Sequence, residues 1–221
     1  MTQMTHDAPS HHLTQDLILG YSAGTLPEAV NLIVATHVSL CDECRAALGA
    51  ADALGGAVLE GCAGAALSDD CLDGALRLIR LDAPSAAVPV AAPRDPVLPA
   101  PLRDYVGGSL ADVKWRPVGM GVKQAILHAD AQATARLLFI PAGTAVPDHG
   151  HRGMELTLVL QGAFSDEDGT FRRGDIEVAH EDVQHMPVAD ISADCICLAV
   201  TDAPLKFRSL LPRLAQPFLR I

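Results

Sequence analysis

The feature that most constrains this 221-residue chain is the run at residues 84–101, PSAAVPVAAPRDPVLPAP. Six prolines in eighteen residues fix φ and remove backbone donors, so the run can build neither a helix interior nor a central strand. The hydrophobic period changes across it, from helical spacing before to short alternating segments after. Long structureless loops inside compact domains are uncommon. The run is therefore read as a semi-extended Pro/Ala-rich linker between a helical domain, 1–83, and a β-domain, 102–221.

In the first half, a helix is expected over Thr14–Ser22, with Leu13, Leu17, Ile18 and Tyr21 on one side. Thr25-Leu-Pro27-Glu28 has the form of a capping box with proline in the first turn. The helix that follows aligns Leu26, Val30, Ile33, Val34 and His37 on one stripe. A third helix is expected from Cys41 to the Gly55-Gly56 pair. A fourth is expected from Ser68, burying Leu72, Ala75, Leu76 and Ile79. In the second half, strands are expected at Val113–Val118, Val122–Leu127, Thr134–Ile140, Leu156–Ala163, Ile176–Ala179 and Cys195–Val200. Turn signals rich in Gly, Pro and Asp separate them, the pattern of an all-β barrel or jelly roll.

The net charge is −11, and residues 1–82 carry eleven acidic and three basic side chains. Phosphate backbones repel such a surface, so direct DNA binding is not expected; docking on a basic, DNA-binding protein is compatible with it. The N-terminal residues lack a positive n-region. The longest apolar stretch, Ala29–Leu40, is interrupted by Asn31, Thr36 and His37 and is too short to span a bilayer. A cytoplasmic location with no membrane association is expected, and there the six cysteines stay reduced.

His37-Val-Ser-Leu-Cys41-Asp-Glu-Cys44 places an imidazole and two thiols within eight residues. Cys41 and Cys44 are three apart at the start of a helix, which aims both sulfurs at one point. These are the ligands zinc prefers, and a closed site takes a fourth. His12, just before the first helix, is the candidate, with His11 and His6 as rivals. A small helical domain with few aromatics has a thin core, so a metal would supply much of its folding energy.

The H-x3-C-x2-C pattern, with His12 upstream and Tyr21-Ser-Ala-Gly-Thr-Leu between, resembles the zinc-binding anti-sigma domain, and within it the ChrR branch. The resemblance implies that His12, His37, Cys41 and Cys44 hold a structural zinc. It also implies that the domain binds a group IV (extracytoplasmic-function) sigma factor, one to one, wedged between two regions of that factor with the fourth helix adding contacts. The acidity of this half fits such a role.

Gly143-x5-His149-x-His151-x3-Glu155-x6-Gly162 and Gly174-x10-His185 resemble the two motifs of the cupin superfamily over about residues 102–221. The resemblance implies a small jelly-roll barrel with His149, His151, Glu155 and His185 around one metal. The spacing agrees, since residues two apart in an extended segment share a face. Three imidazoles and a carboxylate suit Zn, Fe, Mn or Ni; the ChrR branch implies zinc, and so two zinc ions per chain. The second motif departs from the usual pattern at His180, Asp182 and Ala189, where Pro, Gly and Asn are usual. His180 is read as exposed surface, with a role behind His185 as the alternative.

Cys195-Ile-Cys197 lies in an expected strand with both sulfurs on one face. They are read as small buried apolar residues or, if that face is inward, as oxidisable thiols near the metal. Parallel projection makes them poor disulfide partners. Cys62 and Cys71 match no motif. The chain as a whole is expected to be a non-enzymatic regulator: an anti-sigma factor whose cupin domain serves release on an oxidant such as singlet oxygen, the signal the ChrR resemblance implies. The alternative is a metal-dependent, dioxygenase-like cupin enzyme with a helical partner module. A zinc-finger-like DNA binder is opposed by the charge and by the absence of a basic recognition helix.

Overall fold

A computed structural model of the chain describes residues 8–81, 95–207 and 216. A helical N-terminal region is followed by a cupin-like β-domain. Helix α1 spans Gln15–Ser22 and opens on Thr14, whose hydroxyl accepts the Leu17 N–H at 3.3 Å. Helix α2, Glu28–Leu40, does not use the expected capping box. Pro27 stands at its cap, and the Thr25 hydroxyl instead donates back to the Gly20 carbonyl at 3.2 Å. Helix α3, Asp42–Glu60, opens on Cys41 and runs through Gly55-Gly56, where it was expected to stop. The good helix formers around the two glycines outweigh their cost of about 1 kcal/mol each.

Helix α4, Cys71–Leu81, departs further from expectation. Leu72, Leu76 and Ile79 were expected inside, but they are 69%, 38% and 67% exposed, and Ala75 is exposed too. The helix is amphipathic, yet it buries no residue against the described chain. Helix α5, Ala100–Val106, was not expected; it begins inside the proline-rich run with Pro99 at its cap and Pro101 in its first turn. The Asp95 carboxylate accepts the N–H groups of Val97, Leu98 and Leu110. Leu98 and Leu102 are fully buried. The C-terminal end of the run, 95–101, is thus packed structure, while 84–94 lies outside the described residues.

The β-domain contains β1 (Arg116–Gly119), β2 (Val122–Ala129), β3 (Thr134–Ile140), β4 (His149–Gly150), β5 (Glu155–Gln161), β6 (Ala163–Ser165), β7 (Thr170–Arg172), β8 (Ile176–Ala179), β9 (Gln184–His185), β10 (Val188–Ala189), β11 (Cys195–Thr201) and β12 (Lys206–Phe207). They form three antiparallel sheets, ordered β1-β2-β3-β11-β5-β8, β10-β6-β7 and β12-β4-β9. The expected strand Leu156–Ala163 breaks at Gly162, which adopts φ +71°. A Cβ there would meet the Asp194 carbonyl oxygen at 2.6 Å. Gly162→Ala is therefore expected to cost about 1–3 kcal/mol in urea unfolding; a change within experimental error would contradict this account of the turn.

The period of two sorts side chains to opposite faces. Leu137, Leu156, Leu158, Leu198 and Val200 face outward and join Ile33, Val34 and Leu32 of α2 in one continuous core. Arg136, Leu138, Glu155, Thr157, Cys197 and Ala199 face the barrel interior. The helices are also tied to the β-domain at a second point. Asp175, 2% exposed, accepts the backbone N–H groups of Ser10 at 2.6 Å, His11 at 3.0 Å and Arg172 at 2.7 Å.

Candidate functional site

Two clusters could hold a metal ion through four residues each. In the first, His12, His37, Cys41 and Cys44 present ligand atoms that all lie within 4.8 Å of one another. His37 comes from the last turns of α2, Cys41 from the α2–α3 junction and Cys44 from the first turn of α3. His12 approaches from the segment before α1, with Nδ1 3.3 Å from the Cys41 sulfur and 3.7 Å from the Cys44 sulfur. Its Nε2 faces the Glu43 carboxylate at 3.4 Å, the orienting contact a metal-bound imidazole commonly makes.

His37 is fully buried, and neither ring nitrogen has a hydrogen-bond partner among the described residues. Its pKa is lowered to about 4, by burial first and by the His12 charge second; the nearby Gly174 carbonyl and Asp175 carboxylate partly offset this, without hydrogen-bond geometry. A neutral, orphaned imidazole beside two buried thiols is the environment a cation completes. Burial also pushes the Cys44 thiol up to about 11. Of the rival histidines, His11 packs at a tilt against Phe171 with centroids 4.3 Å apart and its backbone serves Asp175; His6 lies outside the described residues.

The second cluster brings together His149 from β4, Glu155 from the start of β5, His185 from β9, and His151 from the loop after β4. All four are at least 92% buried. The β4–β9 register places His149 opposite His185, with their Nε2 atoms 3.2 Å apart. Glu155 Oε2 lies 3.5 Å from His149 Nε2 and 3.2 Å from His151 Nδ1. His149 donates Nδ1–H to the Pro147 carbonyl at 2.9 Å. His185 Nδ1 faces Asp166 Oδ2 at 2.8 Å and Glu177 Oε1 at 2.9 Å. With both Nδ1 atoms so engaged, the two Nε2 atoms, the His151 ring and the Glu155 carboxylate converge on one point, the arrangement a shared cation completes. Burial raises the Glu155 carboxyl, but the His149 hydrogen bond and the three imidazoles bring it below its ordinary value.

Sequence reading missed the carboxylates behind His185. Asp166 sits in the turn after β6 and Glu177 in β8, and both are buried around the imidazole. Burial lifts Glu177 to about 7. The same burial disfavours a charged His185, but its hydrogen bond to Glu177 outweighs this and raises it to about 9. The signal was present as FSDEDGT, an acidic turn, but nothing in its spacing points to His185. His180 is exposed, as expected of surface. Such supporting residues tune metal affinity by about 10- to 100-fold. Glu177→Gln is expected to weaken barrel metal retention in that range, measured by chelator competition; unchanged retention would contradict this role.

Cys195 and Cys197 face inward with sulfurs 3.5 Å apart, closer than parallel projection alone suggests, because the side chains lean together beside a register shift against β5. Both are fully buried, and Cys197 lines the same cavity as His149 and His185. Its hydrogen bond to Cys195 and its burial raise it well above an ordinary thiol. Cys62 and Cys71 are exposed. No helix among the described residues is long and apolar enough to cross a membrane.

Three comparisons bear on this arrangement. Residues 105–204 match the family described as the ChrR cupin-like domain. The chain is 57% identical over 211 residues to the anti-sigma-E factor ChrR of Cereibacter sphaeroides, covering 96% of this chain and 98% of that protein. It also matches a chain in the crystal structure of Rhodobacter sphaeroides SigE in complex with the anti-sigma ChrR, at TM-score 0.79 and 53% identity, covering 88% of this chain and all of that one.

Proposed function

The chain belongs to the ChrR family of anti-sigma factors, and from that premise we propose that it binds and inhibits a group IV sigma factor, one to one, in the cytoplasm. The observation that carries this reading is the bare apolar face of α3 and α4. Leu54, Val58 and Leu59 on α3 and Leu72, Leu78, Ile79 and Leu81 on α4 are each at least 63% exposed. Apolar patches of this kind mark interaction surfaces. The surrounding surface is acidic, with eleven acidic and three basic residues up to position 82, which complements the basic surface a sigma factor presents to DNA. Residues 1–83 form the sigma-binding unit and 102–221 the sensor, joined by the run 84–101, of which 95–101 packs with the β-domain side of the chain rather than acting as a free spacer. Both metal clusters hold zinc: the thiolate–imidazole set closes around it structurally, and the barrel set holds it beside Cys197. The protein is a regulator rather than an enzyme.

The experiment is inhibition of sigma-dependent transcription by the full-length chain and by Ile79→Asp with Leu72→Asp. The exposed positions leave the fold intact, so the double variant is expected to lose inhibition at least tenfold with an unchanged melting temperature. Full inhibition by the variant would remove this face from the reading.

Release is assigned to the barrel. Oxidation of Cys195 or Cys197 by singlet oxygen or a product of it would place oxygen in a packed wall beside the metal. Cys195→Ser with Cys197→Ser is expected to inhibit normally and to stay bound under oxidant. Release at the wild-type rate would take the pair out of the mechanism.

A further inference from the structure

The interior of the barrel holds a cavity of about 650 Å³, within the range of small-molecule sites. Its wall is graded. The inward residues of β3 run Arg136, Leu138, Ile140, and the register sets Arg136 beside Ala199 and Leu138 beside Cys197. At the Arg136 end the wall is polar, with Thr201 and Glu155. At the Ile140 end it is hydrocarbon, with Val118, Val122 and Phe164 among the lining residues. From Arg136 to Ile140 the strand rises about 13 Å.

Arg136 is the unusual member. It is a cation only 4% exposed, its Nε has no hydrogen-bond partner among the described residues, and a guanidinium nitrogen reaches Thr201 Oγ1 only at 3.4 Å. Buried charges are ordinarily paired. The Glu155 charge favours the guanidinium, but its carboxylate lies against His149 and His151 rather than in an ion pair with Arg136, and Glu177 lies against His185. The guanidinium fork matches a planar carboxylate, and nothing in the described chain supplies one in bidentate geometry.

We propose that the barrel cavity binds an amphiphilic monocarboxylic acid, with its carboxylate on Arg136 and its hydrocarbon tail along Leu138 and Ile140 toward Val118 and Val122. The apolar stretch of wall excludes sugars and nucleotides, and the buried cation excludes amines. The site is a property of the barrel alone and stands or falls separately from sigma-factor binding.

The test is calorimetric titration of the full-length chain as purified with octanoate, octanol and octylamine, and with straight-chain acids from butanoate to dodecanoate. Octanoate is expected to bind saturably, one per chain, at least tenfold more tightly than octanol, with no binding of octylamine. Arg136→Met should lower octanoate affinity about 10- to 100-fold, the worth of charged hydrogen bonds, and leave octanol unchanged. Val118→Trp, on an edge strand, should shift the preferred acid to a shorter chain and covers the case in which Arg136→Met does not fold. Absence of saturable binding by every acid would overturn the proposal. So would equal affinity for octanoate and octanol, undiminished octanoate binding by Arg136→Met, or an unshifted chain-length preference in Val118→Trp.

Discussion

Cys44→Ser is expected to strip one metal ion from the chain and abolish sigma-factor inhibition, a loss of at least a hundredfold. The four residues of the helical cluster sit where three elements meet: the segment before α1, the end of α2 and the start of α3. Cys44 is the one fully buried residue of α3, which is otherwise held by the half-buried Leu48 and Ala51 and by the Ser22–Asp52 and Arg45–Val38 hydrogen bonds. Structural zinc contributes an apparent 10–16 kcal/mol or so to folding in small domains, comparable to the whole stability of an ordinary one. Serine replaces a thiolate ligand with a weak one, and the face that α3 and α4 present to a partner loses its footing. Elemental analysis would show the missing ion, and circular dichroism the lost helix. A variant that keeps its full metal content and its inhibition would show that the cluster is not a metal site.

The second large effect is expected at Asp175. Its buried carboxylate accepts three backbone N–H groups, two of them from the segment that carries His12 toward its cluster. Asp175→Ala leaves those donors unsatisfied, and charge-assisted bonds of this kind contribute about 1.5–3 kcal/mol each, not additively. A loss of about 3 kcal/mol or more in urea unfolding is expected, with faster hydrogen exchange over residues 8–22. Burial raises the Asp175 carboxyl, but the hydrogen bonds from Arg172, Ser10 and His11 bring it below the ordinary range. A carboxylate with a depressed folded pKa contributes stability that is present above its unfolded value, near 4, and is lost as pH falls through the folded one. The variant should therefore be less sensitive to acid than the parent between about pH 4 and the folded value. Stability within about 0.5 kcal/mol of wild type would mean that this clamp contributes little.

Much of this was legible in the sequence, because spacing fixes periodicity. β3 and β8 have the bounds that alternation predicts, and the eight ligand candidates fall into two groups of four. What was not legible depends on contacts between distant segments. β4 and β9 are two residues long, too short to carry a period, yet their pairing aligns His149 with His185. Asp166 and Glu177 reach His185 only through the fold. α5 was hidden because prolines that forbid a helix interior are welcome in its first turn. The apolar stripe of α4 was read correctly as a stripe but wrongly as buried, since periodicity reports amphipathicity and not what covers it. That bare stripe, which the described residues leave uncovered, is what the anti-sigma reading fills.

The most direct test is to mix the full-length chain with each group IV sigma factor of its organism and follow complex formation by sedimentation, together with transcription from the matching promoter. One sigma factor is expected to form a one-to-one complex and to lose activity in proportion to the chain added. If none binds at micromolar concentration and transcription is unchanged, the chain is not an anti-sigma factor.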